Sequence, residues 1–463
     1  MQHIRSLAIL KFTLISAPGL AHAHASEQGL VLLLPTNLYT GAGVAAVALT
    51  VFALVLLPGR LVMALFRPLP LFPVSLHPVQ TFTSTMAALF LGLLVWAGFD
   101  GPRDPLANPL VLVVWTVFWI GFVTVQALIL DLWTLVNPWS GPLRLIRRAF
   151  SPEPHAALPP ALGYWLGVAS FLGFSYLLLA DPAPADPDRL ARLVAAYWLF
   201  HLAMGVVFGP RWLRRAEGFT VMFRAYSRLA MLARYGVHLT LGLPGWRMLR
   251  LRPMPLSLAV LCVILLGTGS FDGLNETFWW LGKLGINPLE FPGRSAVSVP
   301  NTLGLVIANA TLFAIVTLTV LLGLRLAGSD LSAKRGFCYF APTLLPIALG
   351  YHVAHYLTSF LVDGQYALVA LSDPFLTGAD WLGLGEFYVS TGFFGTKSSV
   401  SIIYLTQVGA VVLGHIVAVL VAHATALRLF HDHRRAALSQ APMALFMIAY
   451  TFFGLWLLAS PRF

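Results

Sequence analysis

The stretch Gly350-Tyr351-His352-Val353-Ala354-His355-Tyr356 places two histidines three residues apart inside an apolar run that covers residues 338–361. In an α-helix, three residues correspond to a rotation of about 300°, so the side chains of His352 and His355 share one face, one turn apart. A polar segment that begins near Asp363 follows this run. Two imidazoles on one face can hold a metal ion, relay protons or hydrogen-bond to neighbouring helices.

The composition of the whole chain predicts a membrane protein. Of its 463 residues, 58% are hydrophobic and 10% are charged, whereas about a quarter of the residues of a soluble domain are charged. Apolar runs of about 18–22 residues recur between short polar loops, which is typical of transmembrane helices and excludes the alternating pattern of a β-barrel. The sequence therefore predicts an all-α, polytopic helical membrane protein in a lipid bilayer.

About ten transmembrane helices are predicted after an N-terminal signal-like segment. Residues 1–25 carry Arg5, Lys11, an interrupted apolar core and small-residue endings, a pattern typical of a cleaved secretory signal; a retained first helix is the alternative. Residues 26–463 are expected to form a single membrane domain. The predicted spans are 41–58, 81–99, 109–130, 160–180, 190–209, 255–270, 302–324, 338–361, 400–424 and 441–459.

The distribution of basic residues predicts the orientation. If the first span begins on the exported side, the predicted inner loops hold most of the lysines and arginines, as cytoplasmic loops do. The mature N- and C-termini are then expected on the exported side. The 211–253 loop is basic and amphipathic and is predicted to form one or two helices on the inner membrane surface. No binding motif accompanies its charge, so nucleic acid is not an expected partner.

Two exported-side loops, 271–300 and 362–399, are long enough to have a function of their own. Asp272 lies where the first of them leaves the membrane, and the second contains Asp363. The only cysteines, Cys262 and Cys338, lie in apolar runs, so neither a disulfide framework nor a thiolate zinc site is expected.

Two further histidines lie near the middle of predicted spans, His201 in the fifth and His415 in the ninth. Ionisable groups inside a membrane are costly and by default mark a binding site or a proton relay. The alternative for an isolated histidine is a hydrogen bond between packed helices.

Three hypotheses account for the intramembrane histidines. The first is a divalent, zinc-like metal ion that leaves a coordination position open for water. The second is haem b, clamped by one histidine from each of two helices, such as His201 and His415. The third is a permease in which these groups bind substrate or carry protons. The candidate ligands of the metal ion are His352 and His355, completed by Asp272, Asp363, His415 or His201.

Generic catalytic signatures such as G-x-S-x-G, the P-loop, H-E-x-x-H and C-x-x-C-H are missing from the sequence. Several short motifs nevertheless resemble, over most of the chain, a family of bacterial multi-span proteins named after fenitrothion hydrolase, a membrane-bound organophosphorus hydrolase. The motifs are Tyr351-His352-Val353-Ala354-His355-Tyr356, Gly364-Gln365, Ser372-Asp373-Pro374, Ser270-Phe271-Asp272-Gly273, Gly414-His415 and Ala422-His423.

The resemblance implies an inner-membrane enzyme that hydrolyses aryl phosphorothioate or phosphate triesters and releases a nitrophenol. Its substrate would be a lipophilic small molecule, and a partner membrane subunit is left open. We expect a metal ion to activate water for attack on phosphorus, with Asp272 or Asp363 orienting a histidine or accepting the water's proton. The alternative is a haem- or metal-binding membrane protein, or a transporter, without hydrolase activity.

Overall fold

Long apolar helices make up most of the structure, a computed structural model that describes residues 31–462 except 32, 76, 151–152 and 251. The predicted signal segment, 1–25, lies outside the described residues. The helices are α1 (Thr36–Leu56), α2 (Gly59–Leu65), α3 (His77–Asp100), α4 (Pro109–Leu128), α5 (Trp133–Val136), α6 (Ser140–Ala149), α7 (Trp165–Leu179), α8 (Pro187–Phe208), α9 (Pro210–Ala216), α10 (Gly218–Tyr226), α11 (Trp246–Arg250), α12 (Leu256–Asn275), α13 (Phe278–Lys283), α14 (Arg294–Leu326), α15 (Ala333–Phe340), α16 (Leu345–Ser372), α17 (Lys397–Phe430) and α18 (His433–Ala459).

Nine helical segments of the described chain are long and apolar enough to cross a membrane. The predicted span at 160–180 forms the shorter apolar helix α7, which has 15 residues. Large apolar side chains such as Phe52 and Phe82 project from the bundle with about two thirds of their surface exposed, as expected where lipid is the solvent. The prediction of a polytopic helical membrane protein is confirmed.

The centre of the bundle consists of α12 and the segment Ala333–Ser372, which contains α15 and α16. In the apolar windows of these two segments 78% and 89% of the residues are buried, compared with 17% in α1. The peripheral helices therefore shield the two central ones from lipid, and polar side chains on α12 and α16 face other protein groups.

α16 and α17 cross with their backbones in contact at two glycines. A Cβ atom at Gly350 would lie 2.4 Å from the carbonyl oxygen of Ala410, and one at Gly414 would lie 2.6 Å from that of Pro346. Small residues allow this close approach of membrane helices. The crossing fixes the rotation of the α16 segment that carries the two neighbouring histidines.

Connecting segments meet on two opposite faces of the bundle. The face that we call the cluster face contains residues 276–293, 373–396 and 460–462, and here Thr277 forms a β-bridge with Arg462. The sheet face contains residues 57–75 and 209–255 with an antiparallel three-stranded sheet. Its strands, in the spatial order β1-β3-β2, are β1 (Leu69–Pro73), β2 (Leu232–Tyr235) and β3 (His238–Leu241).

The 211–253 segment differs from its prediction as one or two helices on the membrane surface. It forms the short helices α9 and α10, then the β2–β3 hairpin, whose turn uses Gly236 at φ +62°, and then α11. Phe223 and Trp246 are fully buried against the bundle. Apolar side chains of this segment therefore pack on protein, not on lipid as the prediction requires.

The two cluster-face loops are shorter than predicted because the flanking helices continue. α12 runs to Asn275 and α14 begins at Arg294, with α13 lying between them. α16 continues to Ser372, so Asp363 belongs to a helix and not to a loop.

The close contact at Gly350 predicts that a larger residue at this position destabilises the protein. The Gly350→Ala variant is expected to lose about 1–3 kcal/mol, because the added methyl group meets a backbone oxygen and forces the helices apart. Thermal unfolding of the detergent-purified protein measures the change. The matched control is Gly409→Ala on α17, where a Cβ atom meets nothing within 4 Å and the better helix propensity of alanine favours stability. Equal melting temperatures of the two variants would contradict the proposed close contact.

Candidate metal centre

The last turn of α12 carries two carboxylates on one face. The helix runs to Asn275, so Asp272 and Glu276 are four residues apart across its end and lie one above the other. Asp272 is 6% exposed, whereas Glu276 is half-buried. Two like charges at this spacing repel each other, so the pair needs a neighbouring positive charge.

α16 supplies an imidazole to this pair. His355 Nε2 lies 3.4 Å from Asp272 Oδ2, and one ligand atom from each of Asp272, Glu276 and His355 lies within 4.8 Å of the other two. Two ligands of a tetrahedral ion, each bound at about 2.0–2.1 Å, lie about 3.4 Å apart. The buried cluster could therefore hold a metal ion after a small closing movement of Glu276.

Hydrogen bonds from two further residues surround the cluster. The Tyr356 hydroxyl donates to Asp272 Oδ2, and Arg462 donates to His355 Nδ1 at 3.1 Å. Arg462 also interacts electrostatically with Asp272. The backbone N–H of Phe278 donates to the Pro461 carbonyl oxygen at 3.0 Å, which fixes the C-terminal segment beside α12.

The bond from Arg462 defines the proton position on His355. Arginine cannot accept a hydrogen bond, so Nδ1 is the acceptor, and in the neutral ring Nε2 carries the proton toward Asp272. A metal ion at Nε2 would need that lone pair, and the proton would then have to lie on Nδ1. Arg462 could no longer donate to Nδ1 in that state. The guanidinium and a metal ion would therefore compete for the same cluster.

A cavity of about 20 Å³ lies next to the cluster, lined by Asp272, His355, Tyr351 and His352 among others. About 10–15 Å³ is enough for one water molecule in a polar site. Tyr351 Oη and His352 Nε2 are buried without a hydrogen-bond partner. A buried water is the simplest partner for such atoms, and this cavity has the polar wall that water requires.

His352 lines this cavity but is not a member of the three-residue cluster. Its ring packs edge-on against Trp119 with a centroid distance of 5.2 Å and interacts with the backbone of Trp119 and Ile120. These two residues lie in a π-helical segment of α4, Val113–Phe122. π-helical turns widen the backbone hydrogen-bonding pattern and recur at functional sites.

The structure places the other predicted ligands apart from the cluster. The His201 ring lies among aromatic side chains, and its Nδ1 accepts a hydrogen bond from Trp212 at 3.0 Å. The Nδ1 atom of His415 pairs with the Val411 carbonyl oxygen in its own helix. Asp363 is eight residues beyond His355 on α16, which is about 12 Å along the helix axis.

Other buried carboxylates of the described chain have structural partners. Glu217 caps α10 through the backbone N–H groups of Phe219 and Thr220 and accepts a bond from Tyr197; burial raises the pKa of Glu217. Asp181 pairs with Arg189. The carboxylates of Asp272 and Glu276 differ from these because they lie close to each other and to the imidazole of His355.

Of the five residues that meet at the cluster, the sequence predicts Asp272 and His355 as candidates and does not single out Glu276, Tyr356 or Arg462. The four-residue spacing from Asp272 is a signal for Glu276, but only if the helix is known to continue past residue 270. Tyr356 belongs to the histidine motif quoted above, but the motif assigns it no role of its own. Arg462 has no local signal, because it reaches the cluster only through the fold.

Comparison with known protein families, characterised proteins and solved structures gives no match to this chain. The fold and the cluster define the class: a multi-span helical membrane protein with a buried Asp/Glu/His group that could hold a metal ion. The resemblance to fenitrothion hydrolases stays a prediction.

Replacing Arg462 tests the charge balance of the cluster. Arg462→Gln is expected to lose about 1–3 kcal/mol of stability, because two carboxylates remain together without the guanidinium. A divalent cation replaces that charge, so Zn²⁺ or Mn²⁺ should raise the melting temperature of this variant more than that of the unaltered protein. Lys397→Gln, which removes an exposed charge on the same face, is the control. A variant that behaves like this control with and without metal would refute the proposed balance.

Proposed function

We propose that the protein is a membrane-embedded hydrolase that uses a divalent metal ion at Asp272, Glu276 and His355 to hydrolyse lipophilic phosphate or phosphorothioate triesters. The observation that carries the proposal is the convergence of three ligand atoms within 4.8 Å in a buried site. A metal ion there would supply the positive charge that the two carboxylates require.

The donor set suits a hydrolytic metal. Two carboxylates and one imidazole fit Zn²⁺ or Mn²⁺ and leave a position open. Bound in this way, the ion would lower the pKa of water and polarise the P=O or P=S bond. The rest of the chemistry belongs to side chains of the chain itself.

His352 is the proposed proton acceptor. His352 lines the water-sized cavity beside the cluster, and its buried Nε2 atom has no hydrogen-bond partner, so this atom could accept the proton of the attacking water. In the reaction, the water oxygen forms a bond to phosphorus, the bond from phosphorus to the aryl oxygen breaks, and the phenolate leaves. In this proposal Asp272 binds the metal ion and is not the group that accepts the water's proton. Asp363 is assigned no role in the reaction.

Arg462 is the proposed phosphoryl-binding group. A metal ion on His355 would move its guanidinium away from Nδ1, and a guanidinium can donate two parallel hydrogen bonds to the oxygens of a phosphate ester. An aryl triester is much larger than the cavity of about 20 Å³. The ester would therefore approach from the cluster face, with only the water inside.

The surroundings favour a lipophilic substrate. The helices that surround the centre present large apolar side chains to lipid. A neutral triester partitions into such an environment, whereas a charged phosphate monoester does not. In this proposal the cluster face lies on the exported side, as the distribution of basic residues predicts.

Metal content tests the ligands. Purified protein dialysed against Zn²⁺ or Mn²⁺ is expected to retain about one ion per chain, and Asp272→Asn and His355→Ala should lose it, because each removes one of three ligands. Elemental analysis measures the ion. His238→Ala, an exposed histidine on the sheet face, controls for adventitious binding. Equal metal content in all variants would remove the ligand assignment.

Nitrophenol release tests the reaction. With an aryl phosphorothioate substrate, His352→Gln is expected to keep its metal while the rate falls by about 10²–10⁴-fold, the usual contribution of a general base. A loss of the acidic limb of the pH–rate profile separates a base from a merely structural residue. An unchanged rate in this variant would assign the proton to another group; no release by metal-loaded protein would refute the hydrolase.

A permease is the second candidate, because His415 Nε2, like that of His352, is buried without a hydrogen-bond partner and such groups can carry protons. Proton flux in proteoliposomes that does not depend on ester hydrolysis would favour it. The haem alternative predicts a Soret band in the purified protein.

A further inference from the structure

A second cavity shares no lining residue with the cavity beside the Asp272, Glu276 and His355 cluster. Its volume is about 250 Å³, it is open on one side, and residues of α1, α17 and α18 line it. An apolar cavity of about 150 Å³ already admits benzene. This cavity therefore has room for a substituted aromatic ring.

Two side chains that line the cavity each have a buried polar atom without a hydrogen-bond partner. His423 and Gln440 both line the cavity, and they are 4% and 8% exposed. His423 Nε2 and Gln440 Oε1 are both unpartnered, whereas the amide nitrogen of Gln440 donates to Ser439 Oγ at 3.2 Å. An unsatisfied buried polar atom costs about 1–3 kcal/mol, so two in one cavity indicate a missing polar partner.

The two residues lie at the same depth. His423 is seven residues before the end of α17 at Phe430, and Gln440 is seven residues after the start of α18 at His433. Each is therefore about 10 Å from its helix end. The two side chains therefore lie at the same level of two neighbouring helices.

The remaining wall restricts the chemistry of the ligand. It consists of valine, leucine, isoleucine, alanine and methionine side chains, among them Val51, Met443 and Met447. Among the described residues that line the cavity, none is aspartate, glutamate, lysine or arginine. A ligand that fits would be apolar except for one group that both donates and accepts a hydrogen bond.

The cavity reaches the lipid-facing surface. Leu445 lines it and is 69% exposed. In a membrane-spanning helix such a side chain contacts lipid. The ligand would therefore enter from the bilayer and not from water.

We propose that this cavity binds a lipophilic phenol or alcohol. Its hydroxyl group donates to Gln440 Oε1 and accepts from the N–H of His423 Nε2, and its apolar body fills the space beside Met443 and Met447. The site is independent of the metal cluster, and nothing in the proposed hydrolysis requires it.

Binding of two matched fluorinated probes tests this site. In lipid nanodiscs, 4-(trifluoromethyl)phenol is expected to give a saturable bound signal in ¹⁹F NMR, with at least tenfold lower affinity for (trifluoromethyl)benzene, which lacks the hydroxyl. Gln440→Leu should weaken phenol binding at least tenfold and leave the binding of the arene unchanged. Ala444→Phe, which fills the cavity and keeps both polar side chains, should abolish both signals.

Thr406→Val, an exposed position on α17, is the control, and the melting temperature of every variant reports its folding. Equal affinity for the two probes would show a groove for lipid chains and overturn the proposal. Phenol binding that survives in both Gln440→Leu and Ala444→Phe, or no saturable binding at all, would overturn it as well.

Discussion

The contact of two helix backbones at Gly350 and Gly414 is the constraint on which the centre of this protein depends. Neither position leaves room for a side chain, since a Cβ atom at either one would meet a carbonyl oxygen of the other helix. The contact fixes α16 in rotation and in depth. His352 and His355, which follow within two turns, are held against α4 and α12 as a result.

The second constraint is electrostatic. Asp272 is a buried carboxylate in a membrane-spanning helix, where an unpaired charge is costly. The bond from Tyr356, the contact with His355 and the charge of Arg462 offset that cost. His355 also belongs to the cluster with Asp272 and Glu276 that could hold a metal ion, so the proposed metal site would couple metal binding to stability.

The candidate site was partly predictable. Helical periodicity predicted that His352 and His355 share a face, and both line the same small cavity. Their partners differ, although they lie only one turn apart on α16. His355 contacts the Asp272 carboxylate, and His352 packs against the Trp119 ring. Asp363 was expected in a loop beside the histidines; the continuation of α16 to Ser372 carries it about 12 Å away instead.

The sequence by itself determined the class of fold, since hydropathy summed over about twenty residues is a local property that no distant contact has to supply. It also placed histidines inside the membrane spans. Only the tertiary structure decided which of them meet a carboxylate. Glu276, His355 and Arg462 come from three distant parts of the chain. Their convergence depends on the rotation of the helices and on the hydrogen bond that holds the segment of Arg462 beside Phe278. Neither feature leaves a pattern in a single sequence.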